Sequence, residues 1–244
     1  MTGPLPLHHP RPRVAWGLPD ALIAWLLGLL AAAIGTVIAI SVLAATSGVP
    51  NNASDYPVWV LLVTLVTQEA ATVGWLWWAS LHKGLGTLAA DFGLRVRAAD
   101  WRWFFAGMGL GLVTIVLLAP IAHFQRETQG VVRQFQHASA IEVPLYVLGV
   151  GLVAPVVEEL LFRGVLLRAL ARRTTIAWAV FGSALAFAIV HPLLDFSAIA
   201  GVPAFFALGI VSGYQAARTG NLSRSILLHI GFNAFTLTLL LLGS

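Results

Sequence analysis

The chain has 244 residues, of which 59% are hydrophobic and only 10% are charged. A soluble domain usually carries about a quarter charged residues, so this composition excludes an ordinary water-facing surface. The formal net charge of +4 does not indicate nucleic-acid binding, because the Lys and Arg residues lie between apolar runs instead of forming one patch. The sequence has no cysteine, which excludes disulfides, thiolate catalysis and cysteine metal ligands.

Residues 1–20 are Pro-rich and basic, and we interpret them as a cytoplasmic tail before a retained first membrane span. The apolar run that follows is too long for the hydrophobic region of a signal peptide and lacks a convincing small-residue cleavage site. His8 and His9 are therefore expected to be tail residues and not ligands.

Seven apolar segments predict membrane spans, since about 20 apolar residues are needed to cross the hydrocarbon core. The expected spans cover residues 21–45, 57–81, 103–121, 143–167, 176–190, 198–217 and 225–242. This pattern predicts an all-α, polytopic membrane helix bundle of about seven to eight transmembrane helices. Residues 21–141 hold the N-terminal spans, with an interfacial helix or loop expected near residues 83–100.

Positive charge alternates between the loops that join these spans. Lys and Arg precede the first span and follow the second, fourth and sixth, whereas the loops after the first and fifth have none. Cytoplasmic loops carry an excess of Lys and Arg, so we expect a multi-pass protein of the cell membrane with a cytoplasmic N-terminus. Arg126 and Arg133 lie in a loop predicted to be outside and depart from this pattern.

Strongly polar side chains inside the spans are few, and they direct attention to a possible site. An ionisable group near the bilayer centre costs at least about 2.5–3.5 kcal/mol, so such groups usually have a partner or a function. The set comprises Glu69, Glu158, Glu159, Arg163, His191, His229 and Asn233.

The stretch APVVEELLFRG holds three of these groups on one segment. Pro155 predicts a helix break or a fresh helix start, which would put the two glutamates in a first turn, where the helix dipole favours negative charge. Glu159 and Arg163 are four residues apart and can pair on one face. Glu158 points about 100° away and lacks a partner on its own helix. The alternative is that both glutamates pair with Arg163 or Arg168.

Two further segments contribute imidazoles and an amide. His191 is expected to end the fifth span, because Pro192 follows it, and Phe187 lies one turn earlier on the same face. His229 and Asn233 are four residues apart on the last span and share a face. Taken separately, His191 also fits a histidine at the membrane interface, and the other two fit hydrogen bonding between helices.

Together these groups suit amide hydrolysis. A carboxylate and an imidazole can activate a water molecule, since a carboxylic acid in an apolar setting can shuttle protons. A second imidazole and an amide NH₂ can donate to a developing oxyanion. No serine–histidine–aspartate set stands out, and the HExxH sequence is absent.

Three motifs carry a family resemblance. EELLFR (158–163), FAIVH (187–191) and HIGFN (229–233) resemble, in order, the EExxxR, FxxxH and HxxxN motifs of the CPBP family. That family, also called Abi, contains the type II CAAX prenyl endopeptidases and bacteriocin-processing proteins. The resemblance covers about residues 143–242, and the first three spans match only as apolar helices.

The resemblance implies an α-helical intramembrane endopeptidase whose catalytic core is residues 142–244. It implies that Glu158 and His191 activate the water and that His229 and Asn233 form the oxyanion hole. The supporting residues would be Glu159, Arg163 and Phe187.

Metal use and substrate stay open. No cofactor is expected, and the alternative is a zinc site made by Glu158, His191 and His229 with an open position. The expected partners are the lipid bilayer and a hydrophobic or lipidated peptide, such as a CAAX-type tail or a bacteriocin-like precursor. The rival classes are a non-catalytic bacteriocin-immunity or secretion-accessory protein, and a small transporter, which the few charges in the first three spans disfavour.

The expected depths of His191 and Glu158 in the membrane do not agree with a shared site. At about 1.5 Å per residue, a straight fifth span places His191 nearer the outer side than Glu158. The span must therefore tilt or lie deep within the fold, and we predict a water-filled cavity beside it. Glu69 is expected to be structural support, and Asp195 a loop or cap residue.

Overall fold

The computed structural model describes residues 14–51, 55–122, 138–194 and 196–243. Within those ranges the regular structure is helical and contains no strand, which confirms the predicted all-α class. The expectations for seven residues fall outside the described part of the chain: His8, His9, Arg11, Arg13, Arg126, Arg133 and Asp195.

The helices follow the apolar segments of the sequence. Their bounds are α1 Leu18–Thr46, α2 Val58–Lys83, α3 Leu88–Phe92, α4 Arg102–Ala122, α5 Glu142–Ala171, α6 Ile176–Leu194, α7 Val202–Thr219 and α8 Ser223–Gly243. Short 3₁₀ turns cover Ala98–Asp100 and Phe196–Gly201.

Six of the described helices, α1, α2 and α4 to α7, are long and apolar enough to cross a membrane. The seventh predicted span coincides with α8, which has 21 residues. Large apolar side chains such as Leu30, Val37 and Leu117 are exposed on the outside of the bundle. A surface of this kind suits lipid, and the polytopic bundle is therefore confirmed as the fold of a multi-pass membrane protein.

Small residues set the closest helix contacts. Along the α1 face that meets α2, the buried positions include Ala24, Gly28, Ala32 and Gly35. Small residues let two backbones approach closely where hydrophobic attraction between helices is weak. The α4–α8 crossing is closer still, since a Cβ added at Gly231 would collide with the carbonyl oxygen of Phe104.

Helix α5 carries the acidic motif and is the most buried of the six candidate spans. It contains two π-helical stretches, Gly149–Val153 and Leu160–Leu166, on either side of the α-helical turn Ala154–Glu159. The expected break or helix start at Pro155 is wrong, because the helix runs through it. The turn before the proline is already widened, with Ala154 N donating to Gly149 O, so the missing N–H of Pro155 does not end the helix.

The expected stop after His191 is also wrong. Pro192 lies inside α6, which continues to Leu194. A proline removes one backbone donor and disturbs one turn, and here the helix ends only two residues later.

The basic loops of the sequence meet at one end of the bundle. Lys83 at the end of α2 pairs with Asp20 near the start of α1, with Nζ and Oδ1 2.7 Å apart. Arg168 in the last turn of α5 donates to the carbonyl oxygen of Gly220, which follows α7. The predicted interfacial segment packs across this end as the short helix α3 and irregular chain, tied to α8 by the bond from Arg97 N to Ser223 Oγ.

Candidate active site

The two charged residues on the inner face of α5 form the predicted ion pair. Arg163 Nη1 lies 3.2 Å from Glu159 Oε1, and both side chains are fully buried. The spacing of four residues puts them one turn apart on one face. Glu158, one residue earlier, keeps 26% of its side chain exposed. Of the two glutamates, Glu159 is therefore the one that pairs with the arginine.

His229 on α8 joins both glutamates. Its Nδ1 lies 3.0 Å from Glu159 Oε1, and its Nε2 lies 3.5 Å from Glu158 Oε2. The sequence left Glu158 without a partner on its own helix, and the structure supplies one from another helix. The imidazole is itself buried, with 2% of the residue exposed.

These contacts define where a proton can reside. Glu159 Oε1 faces the guanidinium and accepts from His229 Nδ1–H, which assigns a proton to that nitrogen. Nε2 of His229 and Oε2 of Glu158 then face each other. Their separation of 3.5 Å exceeds a hydrogen bond, so each atom remains able to bond a third group such as a water or a substrate.

Phe187 holds the cluster together from α6. Its buried ring contacts the Arg163 guanidinium, with Cζ 4.4 Å from the ring centroid. The His191 ring lies 4.8 Å from the Phe187 ring, and the His229 ring lies edge-on at 5.4 Å and 90°. Both imidazoles and the arginine thus share one aromatic side chain, which brings α5, α6 and α8 to one place.

His191 faces the bundle interior. Its ring stacks on Phe205 of α7 at 4.1 Å and 20°, and its Nδ1 donates to the Phe187 carbonyl oxygen at 2.8 Å. A carbonyl can only accept, so the proton resides on Nδ1 and Nε2 keeps a lone pair. The His191 ring therefore packs against Phe187 and Phe205 inside the bundle and does not face lipid.

Asn233 lies one turn beyond His229 on α8. Its Nδ2 donates to the carbonyl oxygen of Val150 at 2.9 Å, inside the first π-helical stretch of α5. An amide nitrogen carries two hydrogens, so one donor remains for another acceptor. The bond ties α8 to the turn that precedes Glu158.

Two residues extend the site beyond what the motifs suggested. Glu69 on α2 is buried, and it lies close enough to Glu158 for their charges to interact. Its position inside a predicted span was the signal, although its structural-support role stays a prediction. Phe205, which stacks on His191, gave no signal, because an aromatic residue in an apolar span is unremarkable in sequence.

Comparison with known proteins found one family match and one curated relative. The family described as Type II CAAX prenyl endopeptidase Rce1-like matches residues 140–235, a range that includes all three motifs. This match supports the resemblance to the CPBP family over that range. A curated relative, "Putative membrane peptidase YdiL" of Bacillus subtilis (strain 168), is 27% identical over 138 residues. That match covers 54% of this chain and 53% of the relative, about half of its length. No solved structure matches the chain.

The zinc alternative would need Glu158, His191 and His229 as its three protein ligands. Among the described residues no three His, Asp or Glu side chains cluster as a metal site. The zinc alternative and the metal-free reaction therefore both stay predictions, and the reaction proposed below uses only the protein's own side chains and water.

The predicted water-filled cavity stays a prediction. Two cavities are found elsewhere, one of about 540 Å³ lined by apolar residues of α1, α5 and α6, and one of about 790 Å³ at the basic end of the bundle. Beside the candidate site, about a quarter of the Glu158 side chain is exposed.

Proposed function

We propose that the chain is an intramembrane endopeptidase that hydrolyses a peptide bond in a membrane-associated or hydrophobic peptide. The observation that carries this proposal is the placement of Glu158, partly exposed, 3.5 Å from the Nε2 atom of a histidine that is itself held by a buried ion pair. The family match over residues 140–235 supports peptidase chemistry in general, and the roles of individual residues are our own assignment.

Glu158 would act as the general base. It takes a proton from water as the water oxygen attacks the peptide carbonyl carbon, and the carbonyl oxygen becomes an oxyanion. The same carboxyl group then gives the proton to the leaving nitrogen as the C–N bond breaks. Glu158 is regenerated, and one water is consumed for each bond cut.

The histidines would divide two tasks. His191 keeps an Nε2 lone pair, which can accept a hydrogen bond from the attacking water. His229 is held through Nδ1 by Glu159, so a positive charge on its ring would be stabilised as the oxyanion forms. The second N–H of Asn233 Nδ2 would complete the oxyanion hole.

Phe187, Glu159 and Arg163 would hold these groups in place without touching the substrate. The Glu159–Arg163 pair fixes His229, and the Phe187 ring contacts the guanidinium and both imidazoles. Catalytic side chains need such support, because small misplacements reduce the rate strongly.

The substrate class follows from the surroundings of the site. The catalytic groups come from apolar helices with lipid-facing outer surfaces, so a substrate reaches them from the membrane or as a hydrophobic chain. A CAAX-type tail and a bacteriocin-like precursor both meet this description. We also propose a cytoplasmic N-terminus, since the basic loops share one end of the bundle.

A comparison of membrane peptides tests this function and finds the substrate. Cells lacking the chain would be complemented with wild type, with Glu158→Gln, or with Glu142→Gln as a matched control at the other end of α5. Peptide ends present with wild type and the control, and lost with Glu158→Gln, would identify the cleaved bonds. Identical peptide ends in all three strains, with a phenotype retained by Glu158→Gln, would favour the non-catalytic accessory role.

Metal independence is a separate expectation. Activity of the purified protein should survive chelation and be unchanged by added zinc. Loss of activity on chelation, with recovery on adding zinc, would contradict it and restore the metalloprotease alternative.

A further inference from the structure

A cavity of about 790 Å³ opens at the basic end of the bundle, away from the candidate active site. The last turn of α5, the chain before α1, the segment after α2 and the turn between α7 and α8 surround it. Arg168 lies ten residues beyond Glu158, which is about 15 Å along the helix. Nothing in the proposed hydrolysis uses this cavity.

The charge of the cavity is strongly positive. Four arginines line it, at positions 95, 97, 168 and 172, and Asp91 is the one acidic residue among the described lining residues. The Asp91 carboxylate is occupied already, since it accepts hydrogen bonds from Trp16 Nε1 at 2.8 Å and Ser80 Oγ at 2.6 Å. It also accepts from Leu85 N at 2.8 Å, and its single negative charge leaves the four arginines in excess.

Two of the arginines are held in place by backbone oxygens. Arg168 donates to the carbonyls of Asp91 and Gly220, at 2.8 and 2.9 Å. Arg172 donates to the Trp16 carbonyl, and its Cζ lies 4.5 Å from the centroid of the Trp16 ring. Partial burial, and then the charge of Arg173, lower the pKa of Arg172, while the charge of Asp20 acts in the opposite direction. These contacts hold both guanidinium groups in the cavity wall.

The other two arginines lie on the rim. Arg95 and Arg97 are exposed, and neither side chain has an assigned hydrogen bond or ion pair to the described residues. Their backbones are bonded: Arg95 N donates to Gly93 O, Arg97 N donates to Ser223 Oγ, and Arg97 O accepts from Asp100 N. Their side chains are therefore available to a ligand.

We infer that this cavity binds a phosphate group, carried either by an anionic phospholipid or by a soluble phosphorylated solute. Guanidinium groups bind phosphate oxygens in a bidentate fork, and basic pockets between helices at a membrane surface suit lipid headgroups. The cavity lies where the candidate spans α1 and α5 begin and end, so headgroups would lie beside it in a membrane. Apolar lining by Leu85, Leu167 and Ile176 would suit the glycerol and first methylenes of a lipid.

Lipid retention by the intact protein tests the inference. The purified protein would be titrated with phosphatidylglycerol, with phosphatidylcholine and with inorganic phosphate, and bound ligand measured by native mass spectrometry alongside the melting temperature. The test variant is Arg95→Gln/Arg97→Gln. The matched control is Arg102→Gln/Arg173→Gln, which removes two exposed charges near the same end but outside the cavity lining.

We expect wild type to prefer phosphatidylglycerol over phosphatidylcholine. The cavity variant should bind phosphatidylglycerol on the order of tenfold more weakly, given the usual contribution of each arginine near an anionic lipid, while the control changes less than twofold. Stabilisation by inorganic phosphate that is lost in the same variant would support the site and assign it to a soluble phosphate. Two results would overturn the inference. One is an equal loss of ligand binding in both double variants. The other is a wild-type protein that binds phosphatidylglycerol no better than phosphatidylcholine and is not stabilised by inorganic phosphate.

The Glu158→Gln variant separates this inference from the proposed function. It should bind phosphatidylglycerol as wild type does, whether or not the chain is a peptidase. Loss of lipid binding in Glu158→Gln, with the melting temperature preserved, would contradict the independence of the two sites.

Discussion

Asn233 offers a test of the oxyanion hole at the scale of one residue. Its Nδ2 donates to Val150 O and keeps a second hydrogen. Asn233→Ala should lower kcat by about 10²–10³-fold, because one oxyanion donor contributes about 3–4 kcal/mol, while KM changes little. The measurement is steady-state cleavage of an identified peptide by the protein in liposomes.

Ser183→Ala is the matched control for that change. Ser183 Oγ also bonds a backbone carbonyl of α5, at Phe162 and 2.9 Å, but the residue takes no part in the proposed reaction. Both variants should lose a similar, small amount of thermal stability, with kcat nearly unchanged for Ser183→Ala. Equal losses of kcat would mean that Asn233 acts through packing alone.

The buried ion pair predicts a pattern of stabilities. Arg163→Met leaves Glu159 buried without its guanidinium, and breaking a buried pair in this way costs roughly 3–5 kcal/mol in free energy of unfolding. Glu159→Gln/Arg163→Met should recover a large part of that loss, because no uncompensated charge remains. Thermal unfolding in one detergent measures both. A single variant as stable as wild type, or a double variant less stable than the single, contradicts the pairing.

At this scale the sequence predicted contacts within a helix better than contacts between helices. The Glu159–Arg163 pair follows from a spacing of four residues, and it is present. The bridge from His229 to both glutamates depends on the relative height and rotation of α5 and α8, which no local pattern encodes. For the same reason the Val150 partner of Asn233 and the Phe205 partner of His191 were not predicted.

The α4–α8 crossing sets the position of the HIGFN motif (229–233) on α8. Glycine residues allow the two helices to approach closely there. A Cβ at Gly231 would collide with the Phe104 carbonyl oxygen, whereas a Cβ at Gly109 on α4 would meet nothing within 4 Å. Gly231→Ala should therefore destabilise the protein by about 1–3 kcal/mol and reduce activity, because α8 must shift and carry His229 with it. Gly109→Ala is the control and should leave both nearly unchanged.

Melting temperature and cleavage rate, measured on the same preparations, test this crossing. A Gly231→Ala variant with wild-type stability and wild-type activity would show that the helices do not approach so closely.

The positions of the long helices could be predicted from the sequence, but the irregularities within them could not. Apolar segments of about 20 residues located the spans, since length and hydropathy are properties of sequence alone. The expected break at Pro155 and stop at Pro192 were wrong, because α5 runs through a widened turn before Pro155 and α6 continues two residues past Pro192. The two π-helical stretches of α5 were missed, since a wide turn has no residue pattern of its own.

Topology is a property of the whole molecule, and the absence of cysteine makes it easy to test. Single cysteines at Ser47 and Ala99 place thiols in the loop after α1 and in the basic segment after α2. With a cytoplasmic N-terminus, an impermeant maleimide added to intact cells should label Ser47→Cys, while Ala99→Cys should react only after permeabilisation. The reverse labelling pattern would show that the N-terminus lies outside the cell.

The whole-molecule prediction rested on composition and charge. A polytopic all-α bundle followed from the scarcity of charged residues, and the alternating loops predicted which loops share an end, as the Lys83–Asp20 and Arg168–Gly220 contacts show. The basic cavity was not predicted, because its arginines come from segments far apart in sequence. The division into a tail, N-terminal spans and a core of residues 142–244 stays a prediction.

Glu158 is the residue on which the peptidase proposal depends most, and its exchange for glutamine in purified protein is the most direct test. The measurement is the cleavage rate of an identified peptide in liposomes, with melting temperature recorded for both proteins. Glu158→Gln keeps the size of the side chain but removes the base, so the rate should fall by at least about 10²–10⁴-fold with stability retained. A folded Glu158→Gln protein that cuts the peptide at a rate near wild type would contradict the role of Glu158 in activating water.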